Sequence, residues 1–357
     1  MRASACLLAC AIAALAATAA VPALGDPVAD FYKGKQMQFI IRSNAGGGYD
    51  QYSRLLGRHI VKHIPGNPTM LPVNMPGGGG LQAANFIAQA APKDGTYLTM
   101  VGQGLPMDQA LGLSKGLQAD MKTFNWIGNM SDSNQITVAW HSSPTKTIED
   151  AMQRETVIGA TGAGSISTQI PAVLNNVLGT KFKVIFGYPG GPEINLAMER
   201  GELEGRATNP WASYLSVTPH YVAEKKLNLL VQTGMKKEKD LPDVPLMRDL
   251  AKTPEQKAIL DYVSKAVAVG RPVGTTPGVP ADRVAALRKA FDATLTDPAF
   301  IAEADKQKME ISAMTGAELQ QIITDVLEAP VDLLEKVRVV TSSRDAKELP
   351  GAKPSAN

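Results

Sequence analysis

The stretch QFIIRSNAGGGYDQYSRLLGRHI, residues 38–60, decides the architecture. Residues 38–42 carry the apolar, β-branched character of a buried strand, and Tyr52, Leu55, Leu56, His59 and Ile60 recur at the spacing of one buried helix face. Between them lies the turn NAGGGYD, 44–50. The same strand, glycine turn and helix recur at MPGGGG (75–80), TGAGSIST (161–168) and YPGGP (188–192). Two of these turns fall early and two late, and MPGG at 75–78 matches YPGG at 188–191. That pairing is expected where two lobes contribute comparable loops.

The rest of the chain follows the alternation. Strands are predicted at 38–42, 70–74, 97–101, 136–140, 157–160, 183–186 and 227–232, separated by helical patterns, which is the signature of an α/β fold with mostly parallel strands. One helix shows Ile170, Val173, Leu174, Val177 and Leu178 and stops at Gly179; another opens with Pro192 and ends at Gly201. Late in the chain Pro280 opens an amphipathic helix, and Thr315 with Glu318 forms a capping box. The expected organisation is a lobe from 26–137 plus 262–357, a second lobe from 138–261, and two crossing segments between them. Residues 342–357, polar and proline-containing, are expected as a loose tail.

Glycine turns at strand-to-helix junctions suit a small anion. The first N–H groups of a helix lack intrahelical partners and sit at the electropositive end of its dipole. Glycine lets the backbone come close, so a carboxylate can rest on the N–H groups without a nearby Lys or Arg. In an open parallel sheet these turns gather at the strand carboxyl ends, where ligands bind. The candidate contacts are Gly46, Gly47, Gly48 and Tyr49 in the first turn, and Gly77 and Gly78 in the second. The third offers Gly164, Ser165, Ser167 and Thr168, and the fourth Gly190. The segment GRATNPW, 205–211, read as following a short strand, adds Arg206 for a second carboxylate by a bidentate fork, with Asn209 beside it. Trp211 would wall the apolar part of the ligand. Arg42 is a weaker candidate for the same role, and Asp50 reads as an N-cap or turn residue and not as a direct contact.

Composition removes other classes. Arg2, an Ala- and Leu-rich run and the small residues before Asp26 form a secretory leader, cut after Gly25. Both cysteines, Cys6 and Cys10, lie within it, so the mature chain has no disulfide, thiol nucleophile or thiolate metal site. Removing Arg2 leaves 35 of the 36 basic residues against 34 acidic ones, a near balance that gives nucleic acid no footprint. His59 and His63 share a helix face, but Ile60 stands where a zinc protease needs Glu, and no metal is expected. The glycine turns lack the spacing of a dinucleotide site, and Ser165 lacks the nucleophile-elbow pattern, so neither cofactor nor catalysis is implied.

AGGGYD (45–50), NMPGGGG (74–80), APKDGTYL (91–98) and LPDVP (241–245) resemble the periplasmic substrate-binding proteins of tripartite tricarboxylate transporters, the Bug family. The resemblance runs from about Phe31 to about Val340. It implies a two-lobed Venus-flytrap fold of the type II kind, closing over a small organic acid in a cleft between lobes. It also implies a periplasmic monomer that delivers its ligand to a membrane permease of one large and one small subunit. A sensor fed by the same fold is the alternative. The second lobe departs from the family pattern: Ser167, Thr168 and Gln169 follow Ser165 where a His is common, and Pro189 replaces a Lys between Tyr188 and Gly190.

Overall fold

The structure, a computed structural model, describes residues 26–342 and the backbone of 347–348. The leader, its cut and both cysteines lie outside the described residues. The chain forms two six-stranded sheets. The first contains β1 (Gln36–Ile41), β2 (Thr69–Asn74), β3 (Tyr97–Met100) and β4 (Asn125–Asn129). The second contains β5 (Gln135–Trp140), β6 (Thr156–Ala160), β7 (Phe182–Phe186), β8 (Gly205–Pro210) and β9 (Leu227–Thr233). The chain then returns to the first sheet with β10 (Pro272–Thr275) and β11 (Met314–Thr315), and β12 (Lys347–Glu348) ends on the edge of the second.

The two sheets repeat one plan. In the first, β2, β1 and β3 run parallel, and β10 inserts antiparallel between β3 and β4. In the second, β7, β6 and β8 run parallel, and β5 inserts antiparallel between β8 and β9. Each inserted strand is the one that has just crossed from the other lobe. The crossings run from β4 into β5 and from the helix Pro254–Val267 into β10. The fold is the two-lobed α/β architecture of periplasmic binding proteins.

Burial explains the elements that the pattern predicts. Tyr52, Leu55, Leu56 and Ile60 are buried with Phe39 and Ile41 in the first-lobe core. Each such side chain contributes roughly 1.5–3 kcal/mol of burial. Thr315 and Glu318 form the expected capping box ahead of the helix Gly316–Leu327. The helix predicted to stop at Gly179 does so, with that residue at φ 80°, after its last turn widens to π geometry over Leu174–Leu178.

Strands β4, β8 and β10 are absent from the sequence reading. Their sequences, NWIGN, GRATNP and PVGT, carry the glycine, proline and asparagine of turns. Neighbours on both sides hold each of them extended, and Pro272 is tolerated at a strand's first residue. Arg206 therefore lies within a strand, not after one. The C-terminal helices pack against both lobes: Leu319 and Ile323 join Ile40, Val101 and Trp126 of the first. Val326 and Val337 pack in the cluster that holds Ile158, Ile170 and Phe182 of the second lobe. Residues 347–348, expected in a loose tail, pair with the open edge of β7; residues 343–346 and 349–357 lie outside the described set. No helix among the described residues is long and apolar enough to cross a membrane.

Candidate functional site

All four glycine turns lie at the carboxyl ends of parallel strands: after β1 and β2 in one lobe, after β6 and β7 in the other. They face each other across one cavity of about 810 Å³. The sheet plan forces this, because the strands that precede the turns occupy equivalent places in each lobe.

The helices Gly48–Ile60 and Gly191–Glu199 start at Gly47 and Gly190, and neither has a side-chain cap. In the second turn Gly77, Gly78, Gly79 and Gly80 all adopt positive φ, at 142°, 56°, 69° and 112°. Only glycine holds such a run without strain. It aims the Gly79 carbonyl at Arg42, whose Nη2 donates to it. The third turn differs, because Ser165 caps its own helix by accepting from the Ser167 N–H. Thr161, Ser165 and Ser167 form a triangle of hydroxyls on the cavity wall, 2.9–3.2 Å apart.

The structure gathers ten of the fourteen predicted contacts on the cavity wall: Gly47, Gly48, Tyr49, Gly77, Gly78, Ser165, Ser167, Gly190, Arg206 and Asn209. Four are placed elsewhere. The Gly46 N–H donates to the Asp50 carboxylate, which makes it part of a turn closed by Asp50. Gly164 backs onto Ser114 and Asp108, and the Thr168 hydroxyl donates to the Gly162 carbonyl. Trp211 is 4% exposed and packs with Ile136, Val138, Tyr214 and Leu241 beneath the second sheet. It is a core residue and does not wall the ligand space. Asp50 also receives Arg54 and Asn74, which holds the first turn in place.

Three guanidinium groups line the cavity: Arg42, Arg206 and Arg271. Arg206 is 9% exposed; its Nη1 donates to Asn195 at 2.9 Å, and its Nε has no partner among the described residues. Burial lowers the pKa of both Arg206 and Arg271 from the ordinary arginine value. The ring of Tyr49 lies between two of them, 4.5 Å from the Arg42 guanidinium carbon and 4.7 Å from that of Arg271. The Tyr49 hydroxyl donates to the Gln103 side-chain oxygen at 3.3 Å, and Gln135 donates to the same atom at 3.4 Å.

Arg271, Gln103, Gln135 and Ser213 are functional candidates that sequence reasoning missed. Arg271 follows Val269-Gly270 and opens a strand with no β-type run, so nothing local marks it. As for chemistry, the Ser165 hydroxyl meets the hydroxyls of Thr161 and Ser167 and the Ser167 N–H, and no group of three or more metal-ligating side chains occurs among the described residues.

Comparison with known proteins agrees with this fold. Residues 59–339 match the model of the family described as "Tripartite tricarboxylate transporter family receptor". A Cupriavidus necator protein described as "UPF0065 protein in gbd 5'region" is 27% identical over 332 residues, covering 90% of this chain and 94% of that one. The solved periplasmic binding protein BugD superposes with a TM-score of 0.68 at 18% identity, over 88% of this chain and all of its own. MatC from Rhodopseudomonas palustris, solved with bound malate, gives 0.67 at 19% identity, over 85% of this chain and 99% of that one. An R. palustris protein solved with adipate gives 0.67 at 17% identity, over 86% and 97%. At these identities the solved structures attest the shared fold.

Proposed function

This chain belongs to the tripartite tricarboxylate transporter receptor family, and from that premise we propose that it is an exported receptor which captures a small organic acid and delivers it to a membrane permease. Residues 1–25 serve as the leader, the receptor works in the periplasm as a monomer, and its permease has one large and one small subunit. The carrying observation is the convergence of four glycine turns and three arginines on one hollow between the lobes. Amide N–H groups receive one carboxylate, and the guanidinium groups receive further negative charge. The bound malate and adipate of the fold relatives are acids of the same class.

In this reading the ligand settles on one lobe and closure adds the loops of the other, with no bond made or broken. The lobe-to-lobe contacts across the mouth are those of a shut cleft. The Asn44 amide donates to Glu193 at 2.9 Å, and a methyl group added at Gly162 would stand 2.5 Å from the Gly79 nitrogen. The test is thermal unfolding of the purified mature chain against a panel of organic acids. A ligand present at 100 times its Kd stabilises the native state by about 2.7 kcal/mol, which raises the melting temperature by several degrees. The acid should be recovered unchanged after incubation. A panel of mono-, di- and tricarboxylates that leaves the transition unmoved removes the reading, and turnover of an acid replaces it with an enzyme.

A further inference from the structure

Arg271 lies where the two lobes join. Its backbone N–H donates to Asn129 Oδ1 at 2.7 Å and to the Ser131 carbonyl at 2.9 Å, and its carbonyl accepts from Met130. Those partners lead into the other crossing segment, so the two crossings are stitched together at this residue. Its side chain then reaches both lobes. The guanidinium carbon lies 4.7 Å from the Tyr49 ring and 4.5 Å from the Tyr52 ring of the first lobe, while Nη2 donates to Ser213 of the second.

Its charge is unanswered. Arg271 is 2% exposed, and neither Nε nor Nη1 has a hydrogen-bond partner among the described residues. Arg206, on the second lobe, also keeps a free Nε. No ion pair among the described residues includes Arg42, Arg206 or Arg271. A guanidinium buried without a counter-charge is strongly unfavourable, and closure of the cleft removes the water that would otherwise screen it.

Resting on the receptor reading above, we propose that Arg271 and Arg206 together read the charge of the ligand, so that the cleft shuts fully only over a molecule carrying at least two anionic groups. One group answers the Arg206 guanidinium on the second lobe, and the other answers Arg271 at the crossing. A monoanion satisfies one of the two and leaves the other buried and unpaired, which holds the lobes apart. Arg271 is thus the specificity-determining residue for the second charge. Its planar fork, stacked between two tyrosine rings, suits a carboxylate held by two hydrogen bonds.

The experiment titrates the full mature chain calorimetrically with matched probes: malate and lactate, adipate and its monomethyl ester, benzene-1,4-dicarboxylate and benzoate. Scattering at saturating probe reports compaction. Dianion should bind about 100-fold more tightly than its monoanionic partner in at least one pair, and only the dianion should compact the chain. Arg271→Gln should reduce the dianion-to-monoanion affinity ratio at least tenfold, while Arg271→Lys keeps part of the preference. Equal binding of both members of every pair that binds overturns the inference and leaves the receptor reading standing. An equal loss of both members in Arg271→Gln does the same. If that variant fails to fold, the wild-type pairs and the Lys variant decide. Failure of all six probes to bind removes the receptor reading itself, and the inference with it.

Discussion

Gly48 and Arg271 occupy a single point of contact, since a Cβ at residue 48 would stand 2.6 Å from Nη2 of Arg271. The helix Gly48–Ile60 of the first lobe thus begins directly against the guanidinium at the crossing. Glycine is needed there for space, at a position where the helix would accept any residue.

Gly48→Ala therefore pushes the guanidinium out of place without unfolding the helix. Gly48 is the first helical residue, where alanine is accommodated as readily as glycine, so the added methyl acts on Ser213 and Arg271 and not on the helix. Affinity for the best dicarboxylate should fall about tenfold or more, or about 1.4 kcal/mol, while the ligand-free melting temperature stays nearly constant. Calorimetry on the folded variant checks this, and unchanged affinity would show that Arg271 has room to spare.

Gly162→Ala acts on closure. The added methyl would meet the backbone of Gly79 on the opposing turn. Scattering at saturating ligand should show an incomplete compaction, and affinity should fall with it. Ligand-free stability should not change, because only the meeting of the lobes is obstructed. Compaction equal to that of the wild type would mean that these turns separate in the bound form.

Asp108 predicts a pH dependence. It is fully buried, with Ser114 at 3.0 Å and Gln169 at 3.3 Å, and burial pushes its carboxyl up to about 7 against partial relief from those two hydrogen bonds. Between pH of about 4 and about 7 the native chain keeps a proton that the unfolded chain has released. Stability from this group is present at the acid end of that window and is lost as pH rises toward 7. The loss is at most about 4 kcal/mol. Denaturant unfolding of Asp108→Asn should lack this slope, so its curve and that of the wild type diverge from pH 4.5 to 7.5. Parallel curves would count against a buried, protonated Asp108.

Trp211 separates packing from recognition. Trp211→Ala should cost about 3–5 kcal/mol, the usual cost of emptying a buried aromatic site. Trp211→Phe should retain ligand affinity within about twofold, since the indole lies beneath the sheet and outside the cavity. Loss of affinity in a folded Phe variant would return Trp211 to the ligand wall.

The fold was legible wherever local chemistry and tertiary demand agree. The helix Gly48–Ile60 shows its apolar stripe and the capped helix at Thr315 shows its box, and both form as read. Strands β4, β8 and β10 were not legible, because pairing on both sides overrides sequences that favour turns. The glycine turns were readable as a group, since each stands at a strand-to-helix junction. Which glycines face the cavity was not: Gly46 and Gly164 differ from Gly47 and Gly190 only in the direction their turns take. Arg271 is silent in sequence because its role comes from two crossings that meet in space. Trp211 misled because an aromatic residue beside Arg206 suggests a ligand wall, whereas the chain turns into a helix at Trp211 and buries it.

The most direct measurement is calorimetric titration of the mature chain with its best-binding carboxylic acid, set against the uncharged amide of that acid at the same pH. Backbone N–H groups and buried guanidiniums that converge on negative charge require tight binding of the acid and no measurable heat from the amide. Equal affinity for the two would contradict an anion receptor, whatever else the cleft holds.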